Sequence, residues 1–138
     1  NTGEGIGLNG NSGTAGQIIT STGPTSPPVW KNTGSVEMRF DYGDATPKNI
    51  FLMPANKIIR ETSIVIYTAF DDVTSTVSLG DIGDVNRFIS TTDNLTYEIG
   101  TYSTTPGTKY AVDTQITLSI VPGTSTLGSG LVTIIYEL

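Results

Sequence analysis

The chain contains neither cysteine nor histidine. The first absence excludes disulfides and thiolate metal sites. The second removes the commonest general base and the commonest zinc ligand. Charge is scarce too, at 14% Asp, Glu, Lys and Arg over 138 residues, where an ordinary globular domain carries about a quarter. The balance is acidic, with a net charge of -6 and seven scattered basic residues. Binding to nucleic acid through its phosphates therefore has no electrostatic footprint. No apolar run approaches the roughly eighteen residues of a membrane-spanning helix, so membrane insertion is not expected. The start of the chain carries no secretory-signal pattern. It also lacks methionine, and is read as a fragment or a processed product.

What is there instead is Thr, Ser, Gly and strand-forming apolar residues, 36% hydrophobic in all. The composition divides the chain in two. Residues 1–34 form a Gly-rich arm whose opening half is too polar to bury a core of its own. Glycines at positions 7, 10, 13 and 16 fall on a period of three. That is the spacing of a collagen triple helix, where only Gly fits at the axis, although no proline supports it and a Gly-rich linker explains it as well.

Within the arm, Gly13-Thr14-Ala15-Gly16-Gln17-Ile18-Ile19 leads into Ser21-Thr22-Gly23 and then Pro27-Pro28-Val29-Trp30. Physically this is a short extended run over 17–21, a turn at Thr22-Gly23-Pro24, and a stiff polyproline stretch presenting Trp30. Trp30, the sole tryptophan, reads first as a hydrophobic plug and second as a stacking platform for a sugar or base. The segment resembles one found in bacteriophage tail fibres and related virion appendages, in which Gly-Gln-aliphatic-aliphatic, Ser-x-Gly and Pro-x-Trp recur at this spacing. The resemblance covers about eighteen residues and carries no catalytic group. It implies a virion component, with Gln17, Ile18, Ile19 and Trp30 as assembly residues.

From residue 35 the pattern is of strands. Val36, Met38 and Phe40 alternate with Glu37, Arg39 and Asp41, and Ile116, Leu118 and Ile120 alternate likewise with polar neighbours, both half-buried strand patterns. Further strands are read at 49–53, 58–70, 74–79, 95–102 and 109–112. Residues 63–70 and the closing 131–138 carry apolar residues on both faces, so they belong in the middle of a sheet or against a neighbouring subunit. At a three-fold axis the residues expected to meet are Ile64, Ile66, Ile134 and Tyr136. About eight strands with turns every eight to twelve residues make 35–138 an all-β, jelly-roll-like two-sheet sandwich, displayed as a homotrimer.

Gly80-Asp81-Ile82-Gly83-Asp84-Val85-Asn86-Arg87-Phe88-Ile89 is the second distinctive stretch. Asp84 is placed to cap a short helical turn, with Arg87 paired to a carboxylate and Phe88 in the core. The run also resembles one in small β domains of phage virion proteins. A calcium loop through Asp81, Asp84 and Asp71 or Asp72 is the rival reading, disfavoured because calcium takes six to eight oxygens and the spacing is not that of an EF-hand.

Catalysis has little to stand on. The carboxylate pairs Asp41–Asp44, Asp71–Asp72 and Asp81–Asp84 all fall in turns, where Asp is favoured for local hydrogen bonds. No phosphate-binding Gly-Lys-Ser/Thr motif occurs. No cofactor is implied. The tyrosines Tyr97, Tyr102 and Tyr110 stand near loops, where they would either stack on receptor sugars or pack across strands. The expected function is non-enzymatic: a trimeric tail-fibre or appendage head on the virion surface, contacting a host glycan or protein. The alternative is a capsid decoration protein whose arm clamps neighbouring capsid subunits, and a non-viral surface lectin comes third. Expected partners are the chain itself, other virion proteins and a host receptor.

Overall fold

The computed structural model describes residues 15–20, 29–31 and 33–138, and the chain divides into two compact units, 1–34 with 137–138 and 35–136. In the first unit, β1 (Ile18–Thr20) pairs antiparallel with β2 (Val29–Lys31), setting Ile19 opposite Trp30. The extended run expected around Ile18 is therefore a strand, and the backbone at Trp30 is its partner. The glycine triplets before Gly16, the turn at 22–24 and Pro27-Pro28 lie outside the described residues.

In the larger unit the chain order is β3 (Thr33–Asp41), β4 (Lys48–Met53), β5 (Ile58–Thr68), β6 (Thr76–Asp81), β7 (Asp84–Ile89), β8 (Gly100–Thr104), β9 (Thr108–Lys109), β10 (Thr114–Val121) and β11 (Ser129–Glu137). One sheet runs β3-β11-β5-β8, with β9 also on β5; the other runs β4-β10-β6-β7. The chain changes sheet at every connection except the β6–β7 hairpin and the short β8–β9 step. That interleaving is the jelly roll, two Greek keys folded face to face. The closing strand, expected to be central, lies between β3 and β5.

Alternation places the core. Phe40, Ile50, Met53, Ile59, Ile64, Ile66, Val77, Leu79, Ile116, Leu118, Ile120, Val132 and Ile134 fill the space between the sheets and are buried. Within each regular run every second residue points inward, as the period of two requires, and bulges in β4 at Ile50 and in β5 at Arg60 shift the phase so that Met53 and Ile59 also face the core. Thr62, also buried, shares a hydroxyl hydrogen bond of 2.8 Å with Thr104 on β8, so its polar atom is satisfied.

Two stretches differ from expectation. Residues 84–89 form strand β7, not a helical turn: Asp81, rather than Asp84, supplies the capping oxygen, accepting from the N–H groups of Gly83 and Asp84 at 2.9 Å each. That closes a hairpin. β7 bulges against β6, with Leu79 opposite Ile89 but Asp81 opposite Asp84. Its backbone passes so close to Gly80 that a Cβ there would sit 2.5 Å from the carbonyl carbon of Val85. Residues 95–99 are turn rather than strand, and β8 begins at Gly100. Buried Asn94 anchors that turn, donating from its amide to the carbonyls of Val77 and Ser90 at 2.8 and 2.9 Å.

Because the strands alternate in direction, the connections sort to two ends. The β3–β4, β5–β6, β7–β8 and β10–β11 loops share one end; the β4–β5, β6–β7 and β8–β10 loops share the other.

Candidate interaction surfaces

At the four-loop end, Asp71 and Asp72 of the β5–β6 loop clasp the β10–β11 loop. Asp72 accepts from the backbone N–H and hydroxyl of Thr124, at 2.7 and 2.9 Å, with one oxygen. With the other it accepts from the N–H and hydroxyl of Thr74, at 2.8 and 2.7 Å. Asp71 takes the N–H groups of Thr126 and Leu127 at 2.7 and 3.0 Å, and the Thr126 hydroxyl at 2.8 Å. Donors from Leu127 and Thr126 lower the pKa of Asp71, and donors from Thr124 and Thr74 lower that of Asp72, because each bond favours the ionised form.

The other loops of this end join the clasp. Tyr42 N–H donates to the Gly128 carbonyl at 3.0 Å, and Phe70 N–H to the Thr96 carbonyl at 2.9 Å. Thr46 Oγ1 accepts from Ile120 N–H at 2.9 Å. These fixed loops carry outward apolar tips, with Val73 72% and Ile99 75% exposed and Leu127 also open to solvent. Apolar side chains held on ordered loops suit a contact surface, since little entropy is lost on docking.

The three-loop end is built around one buried carboxylate. Asp81, 2% exposed, is met by the Arg87 guanidinium and by the Tyr110 hydroxyl, which donates at 2.5 Å. Burial alone would raise the Asp81 pKa, but the donors from Tyr110, Arg87, Gly83 and Asp84 outweigh it and the pKa falls. Burial and the bond to Asp81 push the Tyr110 phenol upward, and the same carboxylate raises Arg87. The β4–β5 turn is tied in as well: Asn56 N–H donates to the Tyr110 carbonyl at 2.8 Å, and Ala55 N–H to Asp113 at 2.9 Å.

This arrangement decides several expectations. Arg87 is paired with a carboxylate and Phe88 is buried, as the sequence indicated. The carboxylates of Asp81 and Asp84 take separate sets of protein donors. The oxygens of Asp81 are occupied by protein donors and Asp84 accepts from Asn86 N–H at 2.9 Å. Among the described residues no group of three or more acidic side chains is placed to hold a metal.

The three tyrosines do not form one site. Tyr97 is exposed on the 90–99 turn, while Tyr102 packs on the core and its hydroxyl reaches the Leu95 carbonyl at 3.3 Å. Tyr110 is at the far end, committed to Asp81, a structural partner that no pattern along the chain pairs with it. Ile64, Ile66 and Ile134, expected at a subunit boundary, are instead wholly enclosed by the two sheets of one chain, so no face of them is left for a neighbour. Tyr136 packs its ring against Phe51, with centroids 5.2 Å apart. In the arm, Ile18 and Ile19 are exposed and Gln17 is half-buried with a partner of its own.

No protein-family model matches the chain, and no curated protein does either. Solved structures do. A chain of the acid-stable capsid of Helicobacter pylori bacteriophage KHP30 superposes with a TM-score of 0.66 at 16% identity, over 80% of this chain and 90% of that one. A chain of the cyanophage Pam1 capsid asymmetric unit superposes with a TM-score of 0.58 at 17% identity, over 91% and 89%. Both similarities are of fold.

Proposed function

We propose that this chain is a non-enzymatic structural protein of a phage particle, acting as a capsid decoration protein whose arm clamps neighbouring subunits. The observation that carries the reading is the jelly roll shared, over most of both chains, with two phage capsid structures. Three features support it. Asp71, Asp72 and Asp81 are committed to internal hydrogen bonds rather than to a cleft. The loops of one end are locked together and tipped with apolar side chains. The arm offers Ile18 and Ile19, both exposed, to a partner surface.

The test is cosedimentation of the tagged chain with separated heads and tails of the phage that encodes it. Decoration predicts binding to heads, reduced when residues 1–34 are removed. Exclusive binding to tails would overturn it.

A second reading, a trimeric tail-fibre or appendage head that contacts a host receptor, is favoured by one specific observation: the Gly16-Gln17-Ile18-Ile19 to Trp30 motif. Light scattering of the intact chain and of residues 35–138 separates the assembly routes. A trimer in both places assembly in the sandwich, through surfaces other than Ile64, Ile66 and Ile134. A trimer lost with the arm makes the arm the clasp. A monomer in both favours decoration, with the arm ordered only on the particle.

A further inference from the structure

We propose that a depression beside the β3–β4 turn binds a neutral saccharide ring. The inference adds a site and a ligand class to the receptor-contact reading and rests on that reading only for its biological use. The depression, about 300 Å³, is lined by the end of β3, the turn, and the start of β11. That volume is at the small end of ligand clefts, enough for one ring rather than a long chain.

Its chemistry selects the ligand. Arg39 and Lys48 stand on it with Asp41 and Asp44, two charges of each sign. An anion would gain from the first pair and be repelled by the second, and a cation the reverse. A polyol is the ligand that uses both, since each hydroxyl donates to a carboxylate and accepts from an N–H.

The groups also have bonds to spare. One oxygen of Asp44 takes the Lys48 ammonium at 3.0 Å and Asp41 N–H at 3.1 Å. One oxygen of Asp41 takes Gly43 N–H at 2.8 Å. Among the described residues this leaves the second oxygen of each carboxylate, two ammonium protons of Lys48, and the Arg39 guanidinium without a polar protein partner. Arg39 is steadied by the ring of Tyr67, 5.7 Å from its centroid, and so is held in place by a contact that consumes none of its donors. Internal bonds fix the turn and a stacked ring fixes the cation, so the polar groups are positioned before any ligand arrives.

The experiment is a ¹H–¹⁵N titration of the 138-residue protein with the methyl glycosides of glucose, galactose, mannose and N-acetylglucosamine. Acetate and methylammonium serve as charged comparators. At least one glycoside should give saturable shifts at millimolar concentration, centred on residues 39–48 and 128–130. Arg39→Gln and Asp44→Asn should each weaken it by about tenfold or more, the loss of a charge-assisted hydrogen bond. Arg39 is exposed, so its variant decides the matter even where Asp44→Asn loosens the turn. The proposal is overturned by no saturable shift with any glycoside, by shifts centred on 95–99, by unchanged affinity in Arg39→Gln, or by tighter binding of either charged comparator. Failure here leaves the head-or-tail result standing, and failure there leaves this site standing.

Discussion

The two ends of the sandwich solve one problem, how to tie loops together with an aspartate, in opposite ways. At the four-loop end, Asp71 and Asp72 are outside the core and are stabilised as anions by hydrogen bonds alone: backbone N–H groups and threonine hydroxyls, from across the gap and, at Thr74, from the same loop. At the three-loop end, Asp81 is inside, and its charge is met by a guanidinium and a phenol. The first arrangement spreads its strength over many short local bonds in water. The second concentrates it in one desolvated group whose partners depend on it. Loss at the first end should therefore be local, and loss at the second global.

Removing the buried charge is the strongest way to break that comparison. Asp81→Ala leaves Tyr110 and Arg87 without their acceptor and frees the hairpin N–H groups. It should cost about 3 kcal/mol, the low side for a buried pair because Arg87 is partly exposed. Chemical denaturation checks it, as a drop in midpoint with unchanged slope. Next comes Gly80→Ala, which forces a Cβ into the β7 backbone and should cost about 1–3 kcal/mol. An unaltered midpoint for either variant would mean that β7 does not hold the β6 edge as described. Tyr110→Phe removes one donor while keeping the ring, and should cost roughly 1 kcal/mol.

How far this was legible in the sequence depends on whether the signal was periodic or spatial. Val36-Met38-Phe40 and Ile116-Leu118-Ile120 announced their faces because strand side chains alternate whatever they pack against. Counting such strands was enough for a jelly-roll sandwich. The β7 hairpin was missed because Asp84 stands where a helix cap would. The better signal was Asp81, two residues before Gly83, an aspartate folding over its own following N–H groups. Apolar residues on both faces of β5 and β11 were read as marking either the middle of a sheet or a subunit contact, and both strands are interior to their sheet. Their inner residues Ile64, Ile66 and Ile134 belong to the one-chain core, and the outer Val65, Leu131 and Ile135 are only half-buried. The clasp was the least legible part. Asp71 and Thr126 are 55 positions apart, and no local pattern pairs them.

At the other end the expected changes are smaller and confined. Asp72→Asn removes an ionised acceptor from Thr124 and Thr74, yet every core strand remains paired. Amide exchange should quicken at Thr74 and Thr124 through Leu127 while protection in β5 and β10 is retained, since loops of this kind open without global unfolding. Uniform acceleration across the sheets would instead place the clasp in the cooperative core and erase the contrast between the ends.

Acid gives the finest distinction. The clasp carboxylates have folded pKa values below the ordinary 3.8. Their contribution is thus fully present above the unfolded value and is lost only as pH falls through the lower folded one. Between those limits the native state holds fewer protons than the unfolded chain, so overall stability declines with acidification while the clasp itself stays ionised and closed. Amide exchange at Thr124, Thr126 and Leu127, corrected for intrinsic rates, should therefore remain slow just below pH 3.8. Opening of the loop at the ordinary carboxylate pKa would show that water, rather than the threonines, solvates Asp71 and Asp72. Asp81 shifts in the same direction, but one of its four donors, Arg87, is a charged group. Added salt at that pH should therefore loosen the Arg87 hairpin slightly and leave the hydrogen-bonded clasp unmoved.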